Sequence, residues 1–583
     1  MALLKSESPN VLIKEVDASG TVPSFTSSTG AFVGDFAWGP INEPILVGNE
    51  GELVSNFGAP DLNSSVSAID HLSAKQYLKY SANTYIVRAA DAAALNASDS
   101  DETVQEVVGY STAVQIADRD AFDAGTFTGS FFAKYAGAAG NSLKLSICGA
   151  DATDFAAWDY KGSFDAAPDT SNYVADRSAD SSVAKDEVHV VVLDADGTFT
   201  GQRDGVLETF PNVSLATDAR TDDGSKNYIL DVLTERSRYV YGANHPKIGD
   251  ITTGVTAANF VAGTHGGDAT GTLISTRSFI NGANSSALDA ADYETAFNEF
   301  EDENTIQVDF LIAPGVSDDA EQATIVNDLV TIAESRKDCV VVTSPNRAAV
   351  VGAAASTSAI TTCTAAFSKS SYLIVDNNYL KVYDKYNDKY EFIPAASSTA
   401  GLMANTDDVA APWFSPAGGR RGRYLGVTAL AQNPSKTDRD ILYKADVNPI
   451  VNLPGQGVVL FGDKTFLGKP SAFNRINVRR LFLVMERAIK GAAQNVLFEF
   501  NDEFSRAEFV GIIEPFLRDI QGRRGISDFR VVCDETNNTP DIIDSNSFIA
   551  SVFVKPARSV NFVTLNFVAV RSGVDFEEVL GVV

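Results

Sequence analysis

The spacing of apolar and polar positions changes several times along the chain, and the changes mark out its parts. TIQVDFLIAPG, from residue 305, predicts a strand. Ser317, followed by Asp318 and Asp319, predicts an N-cap with an acidic first turn, and the helical pattern runs to about Arg336. CVVVTSP predicts the next strand. Strand, long helix and strand form a βαβ unit, which requires parallel pairing with a right-handed crossover, so the middle of the fold is α/β.

The last 140 residues carry a second clear pattern. At about 100° per residue with Arg479 at zero, Arg475, Arg480, Arg487 and Lys490 fall between about −40° and +100°. Val478, Leu481, Phe482, Val484, Met485, Ala488 and Ile489 fall on the opposite side, leaving Leu483 among the basic residues. The pattern predicts an amphipathic helix with a cationic stripe. Two uses of the stripe stay open: a solvated face paired through Glu486 and its neighbours, or a contact with an acidic partner. NVLFEF then predicts a strand, followed by a helix from Asn501 or Asp502 to Gly522 with glycine as its stop. DFRVVC, FIASVFVKP and VNFVTLNFVAV predict strands that are buried or paired.

Residues 91–290 differ in texture. They are rich in Ala, Asp, Gly, Ser and Thr, alternate briefly in EVHVVVLDADG, and offer few helical patterns, which predicts mainly β insertion with long loops. Charge sharpens the division. The chain carries −30 overall, of which −4 lies in residues 1–90, −16 in 91–290, −9 in 291–440 and −1 in 441–583. Such a surface argues against electrostatic capture of nucleic acid or of an anionic membrane. The length of 583 residues allows about three to five domains, and a 44% apolar composition suffices for a sizeable core. No apolar run approaches the length of a membrane span, and MALLKSESPN lacks the basic and apolar regions of a signal peptide, so the chain is expected to be made in a cytoplasm and to cross no membrane by a signal peptide.

The sequence offers no complete motif for catalysis or ligand binding. Cys148, Cys339, Cys363 and Cys533 lack CxxC spacing and read as free buried thiols. His71, His189, His245 and His265 lack ligand spacing, so no zinc site is expected. GQGVVLFGDKT at 455–465 has two glycines at P-loop separation, but Asp463 precedes Lys464 and the intervening Val458, Val459, Leu460 and Phe461 suit a strand. LIAPGVSDD presents carboxylates where a pyrophosphate needs amides. Asp407 and Asp408 lie in NTDDVAAPWFSPAGGRRGR, which reads as a loop. No catalytic, cofactor-binding or metal-binding residue is therefore assigned, and the chain does not read as an enzyme. Trp38, Trp413 and Phe414, beside Gly and Pro, suit either core or subunit interface.

The phrase GAFVGDFAWGPINEPILVGNEGELVSNFGAP at 30–60 resembles the opening of contractile tail sheath proteins of myophages. AKYAGAAGNSLKLSI, CVVVTSPNRAAVVG, YDKYNDKYEFIPAA, DDVAAPWFSPAGGRRG, GDKTFLGKPSAFNRINVRRLF, RVVCDETNNTP and KPARSVNFVTLNFVAVRSGVDFEE follow in order, all similar to the T-even type of that family. The likeness covers residues 1–90 and 300–583, with little in 91–290.

The resemblance implies an α/β and mainly β multidomain chain. An α+β inner domain is built from both termini, with residues 1–24 as an N-terminal arm folding with 441–583 and facing the tail tube. Residues 25–90 and 291–440 form an α/β middle domain, and 91–290 form β-rich outer insertion domains that project outward. It implies a structural subunit that polymerises as six-fold helical rings around a tail tube protein, joined at its ends by baseplate and tail terminator proteins. No direct contact with nucleic acid and no membrane insertion are implied. The virion tail, assembled in the host cytoplasm, is the implied location. Contraction from a metastable extended state would drive the tube through the host envelope. Strand-adding arms are expected at Val11, Leu12, Ile13 and Val16, and at Val574, Phe576, Val579 and Leu580. Arg475, Arg479, Arg480, Arg487 and Lys490 are expected to face the tube. Three alternatives remain: the sheath of a tail-derived injection particle, an acidic surface-layer or adhesin protein, and a cytoplasmic α/β enzyme using the βαβ unit.

Overall fold

A computed structural model describes residues 28–60, 65–99, 114–125, 131–179, 185–243, 247–248, 251–252, 255–261 and 273–559. Both expected arms, and the whole of the strand expected at VNFVTLNFVAV, lie outside the described residues. The chain divides into a larger unit, residues 24–412 and 416–487, and a smaller one whose described part is 413–415 and 488–559.

The larger unit is organised by a six-stranded sheet in the order Leu373–Val375, Val340–Thr343, Phe310–Ile312, Gly30–Gly34, Thr84–Arg88, Ile45–Val47. All neighbours pair in parallel except the edge strand Ile45–Val47. Apolar residues on both faces explain the burial: Ala31, Val33, Leu311 and Val341 pack one way, and Phe32, Phe310, Ile312, Val340 and Val342 the other. Helices Ala290–Phe297 and Asp319–Arg336 cover the first face, and Ser65–Leu78 and Ala396–Val409 the second. The expected βαβ unit is present, with its helix capped one residue later than expected. Asp318, not Ser317, accepts from the Ala320 and Glu321 amides, because a carboxylate is the stronger acceptor at a helix start. Lys337 ends the helix in a left-handed turn.

Between Thr84–Arg88 and Ala290–Phe297 the chain builds a seven-stranded antiparallel sheet, ordered 205–214, 187–194, 143–149, 274–280, 96–99, 131–136, 240–242. The strand-rich character expected of residues 91–290 is present in this sheet. Val188, Val190 and Val192 face one core, while Val191 and Leu193 face another with Cys148 and Trp158, as the alternation in EVHVVVLD dictates. The insertion is not a separate compact unit. Trp38, from the first loop of the parallel sheet, sits in the insertion core against Tyr135, Phe199 and Tyr239. Arg88, wholly buried at the end of its strand, donates Nη1 to the Gly39 carbonyl at 2.9 Å.

Residues 441–487 were expected in the inner domain and instead belong to the larger unit. The reason is backbone pairing beyond the edge strand Leu373–Val375. Asn448 bonds Val375 through backbone and side chain, and the Ile450 and Phe466 amides donate to Asn377 Oδ1 and the Leu373 carbonyl. The hairpin 450–453/457–460 occupies the stretch that mimics a P-loop. In the smaller unit, helix Glu503–Gly522 is capped by Asp502 and buries Phe509, Ile513, Leu517 and Ile520 along one face. Strands Ile526–Val532 and Ser551–Pro556 pair antiparallel. NVLFEF does not form the expected strand. Gln494–Val496 is a short 3-10 turn, and the apolar residues after it are exposed, with no partner strand among the described residues.

Candidate functional site

The feature singled out by the sequence is the basic helix, and it forms over Ile476–Ala493. Its stripe, however, faces inward. Ile476 and Leu483 lie on the same side of the helix as the arginines, and both pack into the core beneath the parallel sheet with Phe310, Ile312 and Met403. Leu483, the apolar residue out of place on the wheel, marks the buried side.

Each arginine on that side finds a partner in the larger unit. Arg480 donates Nη1 to Asp407 Oδ1 at 2.6 Å and Nη2 to Asp407 Oδ2; Nη1 also reaches the Met403 carbonyl. Arg487 donates to Asp309 Oδ1 at 2.6 Å and to the Val308 and Asp338 carbonyls, at the start of two sheet strands. The other Asp309 oxygen accepts from the Thr29 amide. Burial raises the Asp309 carboxyl above its ordinary range, and the Arg487 charge opposes that shift. Arg479 lies 4.3 Å from the centres of both the Tyr372 and Phe473 rings and donates to Ser371 Oγ, and burial lowers its pKa. Arg475 bridges Asp463 Oδ1 and Tyr443 Oη.

This corrects the expectation that Arg475, Arg479, Arg480 and Arg487 face a tube. They clamp the helix to its own domain, and Lys490, in the smaller unit, is the exposed member of the five. The planar guanidinium is suited to such burial, since its fork matches a carboxylate bidentately and its stem packs against apolar surface. Sequence reasoning missed the acids. Asp407 was read in a loop, yet Asn405, Asp407 and Asp408 lie within helix Ala396–Val409. The available signal was single acids at the starts of apolar strands, as in VDFLI and DCVVV.

Nucleophilic chemistry finds no footing among the described residues. Cys148, Cys339, Cys363 and Cys533 are free and buried; burial pushes the thiols up, to about 12 at Cys148 and about 11 at Cys363. His189 stacks on Phe164, with Nε2 at the Ala166 carbonyl and Nδ1 accepting from the Asn212 amide. Trp413 packs under Arg523 and donates to its carbonyl, so both tryptophans singled out by the sequence are core residues. Among the described residues no cluster of three His, Cys, Asp or Glu side chains is placed to hold a metal ion, and no helix is long and apolar enough to cross a membrane.

Comparison with known chains places this one in a family. The tail sheath protein of Vibrio phage KVP40 is 30% identical over 98% of this chain and 99% of its own length. The chain belongs to the phage tail sheath family. The family model of the phage tail sheath central domain matches residues 286–466, and that of the C-terminal domain matches 468–569. The resemblance to the T-even type holds: the tail sheath protein of Enterobacteria phage T4 is 40% identical over 50% of this chain and 46% of its own. A sheath tail protein from Listeria innocua shares the fold, with a TM-score of 0.54 and 12% identity over 92% of this chain and 97% of that one. As a tail sheath protein of contractile phage tails, this chain has relatives that are structural proteins, not enzymes.

Proposed function

We propose that this sheath protein is the repeating subunit of a contractile phage tail. Copies polymerise as six-fold helical rings around the tail tube protein, are bounded by baseplate and tail terminator proteins, and pass from a metastable extended lattice to a contracted one that drives the tube through the host envelope. The virion tail is its location, after assembly in the host cytoplasm. The observation that carries the reading is the end-to-end match to a tail sheath protein, which spans the insertion as well as the central and C-terminal family domains.

The internal clamp supports it physically. A lattice that re-makes its neighbour contacts needs a subunit body that does not deform, and buried arginine–aspartate pairs hold helix Ile476–Ala493 against the parallel sheet. Residues 1–24 and the C-terminal segment serve as arms, with Val11, Leu12, Ile13 and Val16, and Val574, Phe576, Val579 and Leu580, adding strands to neighbouring copies. The acidic 91–290 insertion projects outward, away from the tube. Negative-stain electron microscopy of the purified chain, alone and with its tail tube protein, tests the proposal. Hollow striated tubes alone, and longer narrower sheath around tubes, are expected. Monomers under both conditions across a range of salt refute it.

A further inference from the structure

From the end of helix Ile476–Ala493 to the first turn of helix Glu503–Gly522 the chain presents four large apolar side chains to water: Leu497 at 62%, Phe498 at 104%, Phe500 at 84% and Phe504 at 76% of full exposure. Single exposed apolar residues need no explanation; four within eight positions do. The segment is held at its base. Asn501 donates to the Ser547 carbonyl at 2.8 Å, the buried Arg506 donates to Asn501 Oδ1, and Asp502 caps the following helix. Phe498 has φ of 71°, a left-handed conformation that an aromatic residue adopts at a cost. Backbone strain and exposed rings on an anchored turn are what a preorganised anchor requires. Glu499 and Glu503 stand exposed among the rings, and neither makes an ion pair with a described residue.

A surface of opposite character lies on the larger unit. The turn 418–423 is pinned to strand Gly457–Leu460 through Gly418 N to Leu460 O, Leu460 N to Gly422 O and an antiparallel bridge between Arg423 and Val459. The strand runs into Phe461, 49% exposed, with the Arg439 guanidinium 5.4 Å from its ring centre. Arg420 and Arg423 are exposed in the turn, and none of the three arginines pairs with an acid among the described residues. On a chain of net charge −30, this is an aromatic seat with a cationic rim.

We propose that the Leu497–Phe504 turn of one copy docks on the Phe461, Arg439, Arg423 and Arg420 surface of a second copy. Rings meet ring and arginine faces, and Glu499 and Glu503 meet the guanidinium groups. Two different surfaces of one chain give a heterologous contact, which builds a ring or an open helix according to its rotation and does not end at a two-fold dimer. The inference rests on the sheath reading, since it needs copies that polymerise.

The test uses the full chain and follows tube formation by light scattering and electron microscopy. Phe498→Asn with Phe500→Ser removes two rings while placing at 498 a residue that tolerates the left-handed turn. The variant is expected to keep the wild-type circular dichroism and melting temperature, and to raise the concentration needed for assembly at least about thirtyfold, the weight of an interface hot spot. Glu499→Arg with Glu503→Arg, and Arg423→Glu with Arg439→Glu, are each expected to impair assembly, and all four changes together to restore it to within several-fold of wild type. Wild-type assembly by the phenylalanine variant overturns the proposal. So does a charge swap that fails to restore assembly, which would assign the turn to another occupant, such as the tube protein. Wild-type chain that stays monomeric throughout instead overturns the sheath-polymer reading and this contact with it.

Discussion

Asp407→Ala separates the two roles that the basic helix admits. In the structure Arg480 and Asp407 are each about 5% exposed, joined by two parallel hydrogen bonds, with the guanidinium also on the Met403 carbonyl and 4.9 Å from the Phe310 ring centre. Removing the carboxylate takes the bidentate acidic partner from a buried cation, which costs about 3–5 kcal/mol. At about 2 °C per kcal/mol, the low end for large domains, the melting temperature of the monomeric chain falls by about 6–10 °C. Replacing both partners, Arg480→Met with Asp407→Leu, removes the stranded charge and is expected to recover most of that loss, because an apolar pair of similar volume is often as stable as a buried ion pair. Calorimetry on the two variants decides. An unchanged melting temperature for Asp407→Ala, or a double variant no more stable than the single one, refutes the clamp. A tube-facing Arg480 would show the first outcome and a change only in the salt dependence of assembly.

Two buried groups set opposite pH dependences. Burial raises Asp376 to about 7 against hydrogen bonds from Ser344, Thr399 and the Asn378 amide, so between about pH 4 and 7 the folded chain holds a proton the unfolded chain has lost. Its contribution to stability therefore falls as pH rises through that window and is level above it; urea melts of Asp376→Asn should lose this slope. Burial lowers His71 to about 4, and neither ring nitrogen has a hydrogen-bond partner, so between about pH 6.5 and 4 the unfolded chain binds the extra proton. Stability contributed by this residue falls as pH drops through that window, and His71→Leu should flatten it. A Cβ on Gly401 would stand 2.4 Å from the Tyr80 ring, so Gly401→Ala is expected to cost about 1–3 kcal/mol in the same melts.

The βαβ unit was legible because its signals are local: an acidic helix start, an 18-residue helix and apolar strands on both sides. The insertion was legible from the alternation in EVHVVVLD and from its charge. Helix Ala396–Val409 was not. ASSTAGLMANTDDV is poor in strong helix formers, and it folds as a helix because small residues let it approach Ser65–Leu78 closely, with Gly401 against Tyr80. NVLFEF failed the other way. Its alternation fits a strand, but a strand needs a neighbour, and pairing partners are not encoded within six residues. The basic stripe was found at the right residues and assigned to the wrong side, since a helical wheel shows that arginines share a face but not whether acids from Asp309 and Asp407 already wait there.

That placement bears on how such a chain can belong to a lattice that changes state. Ion pairs buried in the body are screened little by salt, whereas the exposed arginines of the 418–423 turn and the glutamates beside Phe498 lie in water, where screening acts within about 10 Å at 0.1 M ionic strength. The two sets of charges therefore answer to different conditions. Salt and neighbouring copies act on the outer set, each pair of which is worth only about 0–1 kcal/mol. The inner set holds its geometry while those contacts break and re-form. A subunit with its strongest charge pairs on the surface would couple every change of neighbour to a change in its own fold; this one separates the two by putting its strongest pairs where a neighbour cannot reach them.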